Sequence, residues 1–120
     1  MAVILQPCGN KDARAHYNDT VMFPVPHDSV SSFLNETDND NLKDIYPDGM
    51  LKIWGVTPNN QGKWKKVEAG DITLFSKSGS IFASAVATYK IRNKPLAEKL
   101  WGLDAKGNAW EYIYFIAEIQ

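Results

Sequence analysis

The sequence has few of the residues on which disulfides and metal sites depend. Its 120 residues include one cysteine, Cys8, and two histidines, His16 and His27. A single cysteine excludes an internal disulfide and a multi-cysteine zinc site, and two isolated histidines do not supply a set of metal ligands. We therefore predict that the protein binds no metal and needs no cofactor.

Segments that would direct the chain to a membrane or to a nucleotide are also missing. No apolar run approaches the length of about 18 residues that a membrane-spanning helix needs. The opening MAVILQPCG has neither the basic region nor the apolar length of a signal peptide. The stretch GNKDAR lacks the glycine spacing of a phosphate-binding loop. We expect a soluble, cytoplasmic protein without a membrane partner.

The sequence also lacks a recognisable catalytic group. Cys8, His16 and Asp19 lie near one another in the chain, but nucleophilic catalysis needs a nucleophile, a base and an orienting group within hydrogen-bond reach. Cys8 stands between Pro7 and Gly9 in no nucleophile motif. We interpret both histidines as satisfied surface or core residues and predict a domain that is not an enzyme.

The net charge of −1 conceals an uneven distribution of charge along the chain. Residues 1–50 carry three Lys or Arg against eight Asp or Glu, whereas residues 51–94 carry eight against two. A basic segment between acidic flanks provides a phosphate-contacting face in a chain that is nearly neutral overall. The alternative interpretation is a set of solvated lysines on a strand-rich surface.

Hydrophobic periodicity predicts strands at residues 2–5, 50–56, 72–76, 81–91 and 109–119 and a short helix at 93–102. Segment 28–49 is polar and acidic, and we predict one amphipathic turn followed by a mobile loop there. Alternation along the long strand assigns six side chains to one face: Ile81, Ala83, Ala85, Ala87, Tyr89 and Ile91.

These elements predict one strand-dominated α+β domain that spans residues 1–120. We expect a curved mixed sheet or a small open β-barrel with one to three short helices. The last predicted strand runs to the end of the sequence without a polar tail, so we also expect that the domain is a fragment of a longer protein.

Four tryptophans, Trp54, Trp64, Trp101 and Trp110, lie close to turn-forming residues. Rings in such positions either cover the core or form flat walls for a ligand. Stacking of a base on such a wall contributes about 1–3 kcal/mol, and a cage of walls also shelters a methyl group from water. Because the base must first leave the helical stack, an aromatic cage beside a basic segment predicts recognition of a flipped, modified base.

Three segments, IWGVTPNN, GDITLFSKSGSIFASAVA and LWGLDAKGNAWEYIYFI, follow the order and spacing of motifs in YTH and EVE domains. Residues 51–119 thus resemble the core of these modified-base readers of the PUA-like superfamily, which implies a PUA-like fold. Related domains stand at the front of McrB-type and nuclease-fused modification-dependent restriction proteins, which implies a covalently linked nuclease or NTPase effector. One departure is IFASAVA, where the family has a glycine before VA, and residues 1–50 match no part of YTH.

The resemblance also implies roles for individual residues. Trp54 and Trp101 take the positions of two cage walls, and Gly55 takes the position whose backbone contacts the base edge. The third wall is Trp110 or a residue of loop 104–108. Together with a Phe-Ser pair that matches the family's hairpin, the candidate base-binding residues are Trp54, Gly55, Phe75, Ser76, Trp101 and Trp110.

Other assignments stay open at the level of sequence. Trp110 begins a predicted strand and is equally consistent with a core position, and Trp64 is consistent with a ring that covers the hairpin. Within residues 1–50, the candidates for further base contacts are Gln6, Asn18 and Asp19. Lysines of the basic segment are the candidates for contact with the nucleic-acid backbone: Lys52, Lys63, Lys65, Lys66 and Lys77.

The sequence therefore predicts a domain that binds double-stranded DNA and flips a methylated base into an aromatic cage, as the targeting domain of a modification-dependent restriction system. Two alternatives differ from this prediction. An RNA reader of the same fold would recognise the 2′-hydroxyl of its ligand. A protein-interaction domain would need its tryptophans only for folding.

Overall fold

The computed structural model describes residues 3–8, 11–103, 107–117 and 119. In this part of the chain seven strands and five α-helices follow one another as β1 (Val3–Pro7), α1 (Lys11–Tyr17), β2 (Val25–Pro26), α2 (His27–Val30), α3 (Glu36–Ile45), β3 (Met50–Leu51), β4 (Ile53–Val56), α4 (Gln61–Lys66), β5 (Ile72–Lys77), β6 (Ser80–Arg92), α5 (Lys94–Trp101) and β7 (Tyr112–Ala117). A π-helical segment, Asn18–Met22, continues α1, and two 3-10 turns occupy Ser31–Phe33 and Pro58–Asn60.

Five of the strands form one mixed sheet in the order β1-β5-β6-β7-β4. β1 is parallel to β5, and the other neighbouring strands are antiparallel. β2 and β3 pair separately as a two-stranded ribbon. The predicted α+β class is confirmed, with five α-helices instead of one to three. None of the helices in the described residues is long and apolar enough to cross a membrane.

The central strands lie close to where the sequence predicts them. β5 and β6 form the predicted hairpin, and its turn places Ser78 and Gly79 at positive φ. α5 begins after Asn93, whose side chain accepts a hydrogen bond from the Leu96 amide, and ends at Gly102, as predicted. β1 extends the predicted strand 2–5 to Pro7, and residue 2 lies outside the described residues.

The prediction of a mobile loop within segment 28–49 is wrong, because this segment contains the ten-residue helix α3. Asn35 caps the helix by accepting a hydrogen bond from the Asp38 amide at 2.7 Å. Carboxylates in the first turn also stabilise the helix, because they lie next to the positive end of its dipole. A single buried side chain, Leu42, fixes α3 to the core, so the helix has little of the apolar periodicity that sequence analysis detects.

The predicted single face of β6 is also wrong, because the strand carries a bulge between Ala87 and Tyr89. Before the bulge Ala83, Ala85 and Ala87 point into one hydrophobic core, whereas Tyr89 and Ile91 pack against another. An extra residue in a strand transfers the following side chains to the opposite face of the sheet. β6 therefore contributes to a core on each side of the sheet.

The two edge strands approach each other through side chains. In the described part of the chain, no ladder joins β1 to β4. Instead, Trp54 Nε1 on β4 donates to Gln6 Oε1 on β1 at 3.4 Å. Lys63 Nζ on α4 donates to the Leu5 carbonyl at 2.9 Å. The sheet is thus curved as an open barrel, and the space between its edges is available to α1 and the π-helical segment.

Candidate nucleic-acid interface

The π-helical segment lies beside β4 and positions the tryptophan at the end of α5. Thr20 Oγ1 is 2.5 Å from the Ile53 carbonyl, to which it donates, and it accepts a hydrogen bond from Trp101 Nε1 at 3.2 Å. One buried hydroxyl therefore connects three elements that are distant in sequence. Single π-helical turns occur frequently at functional sites, and here the turn holds an indole against a sheet edge.

Four rings meet at this edge, and we call them the tryptophan cluster: His16, Trp54, Trp101 and Trp110. His16 stacks on Trp101, with ring centroids 5.4 Å apart, and meets Trp110 edge-on at 4.0 Å. Trp110 in turn contacts Trp54 at 5.3 Å and Trp101 at 6.0 Å. The structure therefore brings together the three tryptophans that the resemblance implies, and it adds a histidine that sequence analysis did not include.

The members of the cluster differ in what they offer to a ligand. Trp54 is 2% exposed and Trp110 is 9% exposed, so both rings are largely covered by protein. Trp101 is half-buried, and His16 lies nearly parallel to it, at an angle of 24°. A base that stacks on the face of Trp101 that His16 covers must therefore take the place of the imidazole. The roles of the three tryptophans as cage walls stay predictions.

Gly55 lies where the cluster packs most tightly against β4. A Cβ atom at this position would be 2.6 Å from the Trp110 carbonyl oxygen and 2.8 Å from a ring carbon of Trp101. Both separations are too short for a side chain, so the close approach of Trp101 to the strand requires a glycine. Contact between the Gly55 backbone and a base edge stays a prediction.

The Phe-Ser pair is divided between the core and the sheet surface. Phe75 is fully buried and packs edge-on against Trp54 at 5.1 Å and Tyr17 at 5.0 Å. Ser76 is half-buried, and its carbonyl accepts a hydrogen bond from the Cys8 amide at 2.6 Å. Phe75 thus supports the tryptophan cluster from the core side. The position proposed as an alternative third wall, loop 104–108, falls partly outside the described residues, which omit 104–106.

The candidate lysines are distributed over several elements. Lys65 and Lys66 are exposed on α4, and Lys77 is exposed at the end of β5. Lys52 is half-buried beside β4, and the ammonium group of Lys63 donates a hydrogen bond to the backbone of β1. Three of the five cations are therefore exposed on the surface, at two separate places, and their contacts with a nucleic-acid backbone stay predictions.

α4 is held to the sheet by its own tryptophan and by a lysine from β6. Trp64 packs edge-on against Tyr112 at 5.2 Å and donates from Nε1 to the Ile113 carbonyl at 3.1 Å. Lys90 Nζ lies 4.6 Å from the Trp64 ring centroid and donates to the backbone of residues 64 and 65. Trp64 therefore covers β7 and lies outside the tryptophan cluster.

The remaining polar candidates have different surroundings. Gln6 is 2% exposed and bonded to Trp54, whereas Asn18 and Asp19 are exposed on the π-helical segment. Cys8 is fully buried, and burial raises the pKa of its thiol to about 11, so the nucleophilic thiolate is disfavoured at neutral pH. Within the described residues, no group of three His, Cys, Asp or Glu side chains could hold a metal ion.

Comparison with solved structures identifies the fold. The N-terminal domain of Thermococcus gammatolerans McrB bound to m5C DNA superposes with a TM-score of 0.71 at 13% sequence identity. The match covers 98% of this chain and 73% of that chain. The fold is that of a McrB N-terminal domain. No protein-family model matches the sequence, and no curated protein matches it. The predicted resemblance to McrB-type domains is confirmed at the level of fold, and residues 1–50, which match no part of YTH in sequence, belong to it.

Proposed function

We propose that this domain binds double-stranded DNA and recognises a methylated base, which it holds outside the helix against Trp101. In this proposal the domain is non-catalytic. It directs a covalently linked nuclease or NTPase effector to modified DNA, as part of a modification-dependent restriction system. The main support is the shared fold, because the McrB domain that superposes on almost the whole chain is described as bound to m5C DNA.

The geometry of the tryptophan cluster is consistent with this function. Trp101 offers a half-buried indole, and the largely covered Trp110 lies beside it, 6.0 Å away at an angle of 52°. The exposed part of Trp101 is suited to contact with the face of a base, and Trp110 supports that ring from the side. Entry of a base on that face displaces His16 from Trp101 and exchanges one stacked ring for another.

Charge supports binding to DNA rather than to a free base. The basic segment leaves Lys65, Lys66 and Lys77 exposed, and lysines of this kind bind phosphates without reading sequence. The lysines thus supply affinity for any duplex, and the cluster supplies the preference for the modified one. The two contributions can be separated by varying the salt concentration, because only the affinity supplied by the lysines depends strongly on ionic strength.

The test is a titration with duplexes that differ at one base: bare cytosine, 5-methylcytosine, bare adenine or N6-methyladenine. Tryptophan fluorescence and anisotropy of a labelled duplex give Kd at two salt concentrations. We expect one modified duplex to bind more tightly than its bare counterpart, and Trp101→Ala to abolish that preference. Loss of base stacking weakens binding of the modified duplex by about 5- to 150-fold, the equivalent of 1–3 kcal/mol.

Trp64→Ala is the matched control, because Trp64 is also half-buried but lies outside the cluster. This variant should keep the ratio of the two Kd values even if its overall affinity falls with the disturbance of α4. A stronger preference for RNA than for DNA of equal sequence would instead favour an RNA reader. Absence of binding to both nucleic acids would contradict the proposal and leave the tryptophans with a role in folding.

A further inference from the structure

A cavity opens next to α1, and it is separate from the tryptophan cluster. Its volume is about 510 Å³, within the range of small-molecule sites. Its described lining residues do not include a member of the tryptophan cluster. α1, the π-helical segment and the β5–β6 hairpin supply the lining residues that matter here, and we call this cavity the hairpin groove: Arg14, Tyr17, Asn18, Met22, Lys77 and Phe82.

The walls of the hairpin groove present unusually large apolar surfaces to solvent. Phe82 is 46% exposed and Met22 is 63% exposed, although both are large hydrophobic residues. Phe82 stands edge-on to the buried Tyr17, with ring centroids 5.2 Å apart. Contiguous exposed apolar surface marks a binding site more often than chance, and an aromatic wall is suited to a flat ligand.

The rim of the groove is cationic. Arg14 and Lys77 are both exposed and line it from two elements, α1 and the hairpin. The described lining includes no carboxylate, and Asn18 adds an amide that can donate or accept. A ligand that complements this site has a flat apolar part for the walls and an anionic part for the rim. A nucleotide has both.

We propose that the hairpin groove binds an unstacked, unmodified nucleotide of the nucleic acid, with its base against Phe82, which Tyr17 supports from the core, and its phosphate close to Arg14 and Lys77. The proposal rests on the proposed function only for the class of partner. It requires neither a modified base nor the tryptophan cluster. Its consequence is a second nucleotide-binding point, which gives the domain affinity for single-stranded DNA independent of modification.

The test measures binding of a short, unmodified single-stranded DNA to the whole chain by fluorescence anisotropy. Phe82→Ala should weaken binding by about 5- to 150-fold, the range found when a base loses an aromatic stacking partner. Ile81→Ala is the matched control, because Ile81 is the adjacent residue and is 56% exposed but does not line the groove. Both side chains are classed as exposed, so we expect both variants to fold, and circular dichroism checks this.

The rim is tested through the salt dependence of the same binding. Arg14→Gln and Lys77→Gln should each reduce the slope of log K against log salt by about 0.7, the value for one phosphate contact with a single strand. Lys43→Gln, on the acidic helix α3, should leave the slope unchanged. Equal slopes in all three variants would overturn the proposed role of the rim.

The outcome is distinguishable from that of the base-recognition test. The base-recognition test compares modified with bare duplexes, whereas the groove test uses only unmodified single-stranded DNA. If Phe82→Ala and Ile81→Ala bind alike, or if the wild type does not bind single-stranded DNA, the hairpin groove is not a nucleotide site. A wild type without preference for modified duplexes would refute the proposed function alone.

Discussion

At the scale of single residues, Gly55 determines how closely the tryptophan cluster approaches the sheet. It lies on an edge strand, and the space that a side chain would occupy is filled by the Trp110 carbonyl and the ring of Trp101. The sequence resemblance associates this glycine with a base contact, whereas the structure shows a packing reason for it. Packing and recognition are compatible, because the same close approach fixes the orientation of Trp101.

Gly55→Ala should therefore destabilise the protein. Insertion of a methyl group into a tightly packed site costs about 1–3 kcal/mol, and urea unfolding followed by tryptophan fluorescence measures this loss. Gly62→Ala is the control, because a Cβ at Gly62 meets no atom within 4 Å and the residue lies in α4. That substitution should stabilise the helix by about 0.5–1 kcal/mol. Equal effects of the two substitutions would contradict the packing reason for Gly55.

At the scale of elements, α3 shows that a cap can specify a helix with almost no apolar stripe. Asn35→Ala removes the hydrogen bond from the Asp38 amide and should lower the free energy of unfolding by about 0.5–2 kcal/mol. Asn60 occupies the same position at the start of α4 but makes no capping hydrogen bond through its side chain. Asn60→Ala should therefore change stability much less. A loss in thermal denaturation that is equal for both variants would show that α3 does not depend on its cap.

α3 also shows which kind of feature the sequence does not predict. β5, β6 and α5 follow from alternation, a Ser-Gly turn, Pro95 and Gly102, which are local signals. The bulge in β6 and the position of α3 on the sheet depend on contacts between distant segments, such as the hydrogen bond from Tyr89 to Asp38 at 2.6 Å. Local patterns carry no information about these contacts, and the Asn35 cap of α3 is a local signal that does not by itself distinguish a helix from a turn.

The candidate site likewise combines residues that the sequence predicts with contacts that it does not predict. The sequence predicts that Trp54, Trp101 and Trp110 lie together, because their order and spacing resemble a known motif. It does not predict the place of His16, because that depends on the contact of α1 with Trp101 at the end of α5. The hydrogen bond that joins the Thr20 hydroxyl to Trp101 is likewise a contact across 81 residues.

At the scale of the whole molecule, the sheet separates two hydrophobic cores that share β7. Tyr112, Tyr114 and Ile116 point into the core that contains the tryptophans, whereas Ile113 and Phe115 point into the core that contains α3 and α5. Because neither core is complete without this strand, we expect both to unfold together in one transition. Each core also contains a buried tyrosine, Tyr114 in the first and Tyr46 in the second. The ionisation of either phenol is therefore linked to the same unfolding equilibrium.

Stability should therefore fall in alkaline solution. Burial raises the pKa of Tyr46 and of Tyr114 from 10.0 to about 12, because a tyrosinate loses its hydration inside the protein. In the unfolded chain both phenols ionise near pH 10, so their contribution is complete below that pH and is lost as pH rises from 10 to about 12. Each phenol lowers the free energy of unfolding by up to about 1.4 kcal/mol per pH unit in this interval.

Urea unfolding at a series of pH values measures this dependence, with circular dichroism and tryptophan fluorescence as independent signals. Tyr46→Phe is less stable than the wild type at neutral pH, because it loses the hydrogen bond that the hydroxyl donates to the Ile116 carbonyl at 2.7 Å. Its stability should nevertheless fall less steeply above pH 10, since the ionisation of Tyr46 is removed. Coincident transitions in both signals indicate that the cores unfold together. A free energy of unfolding that stays constant up to about pH 11 would contradict the burial of both phenols.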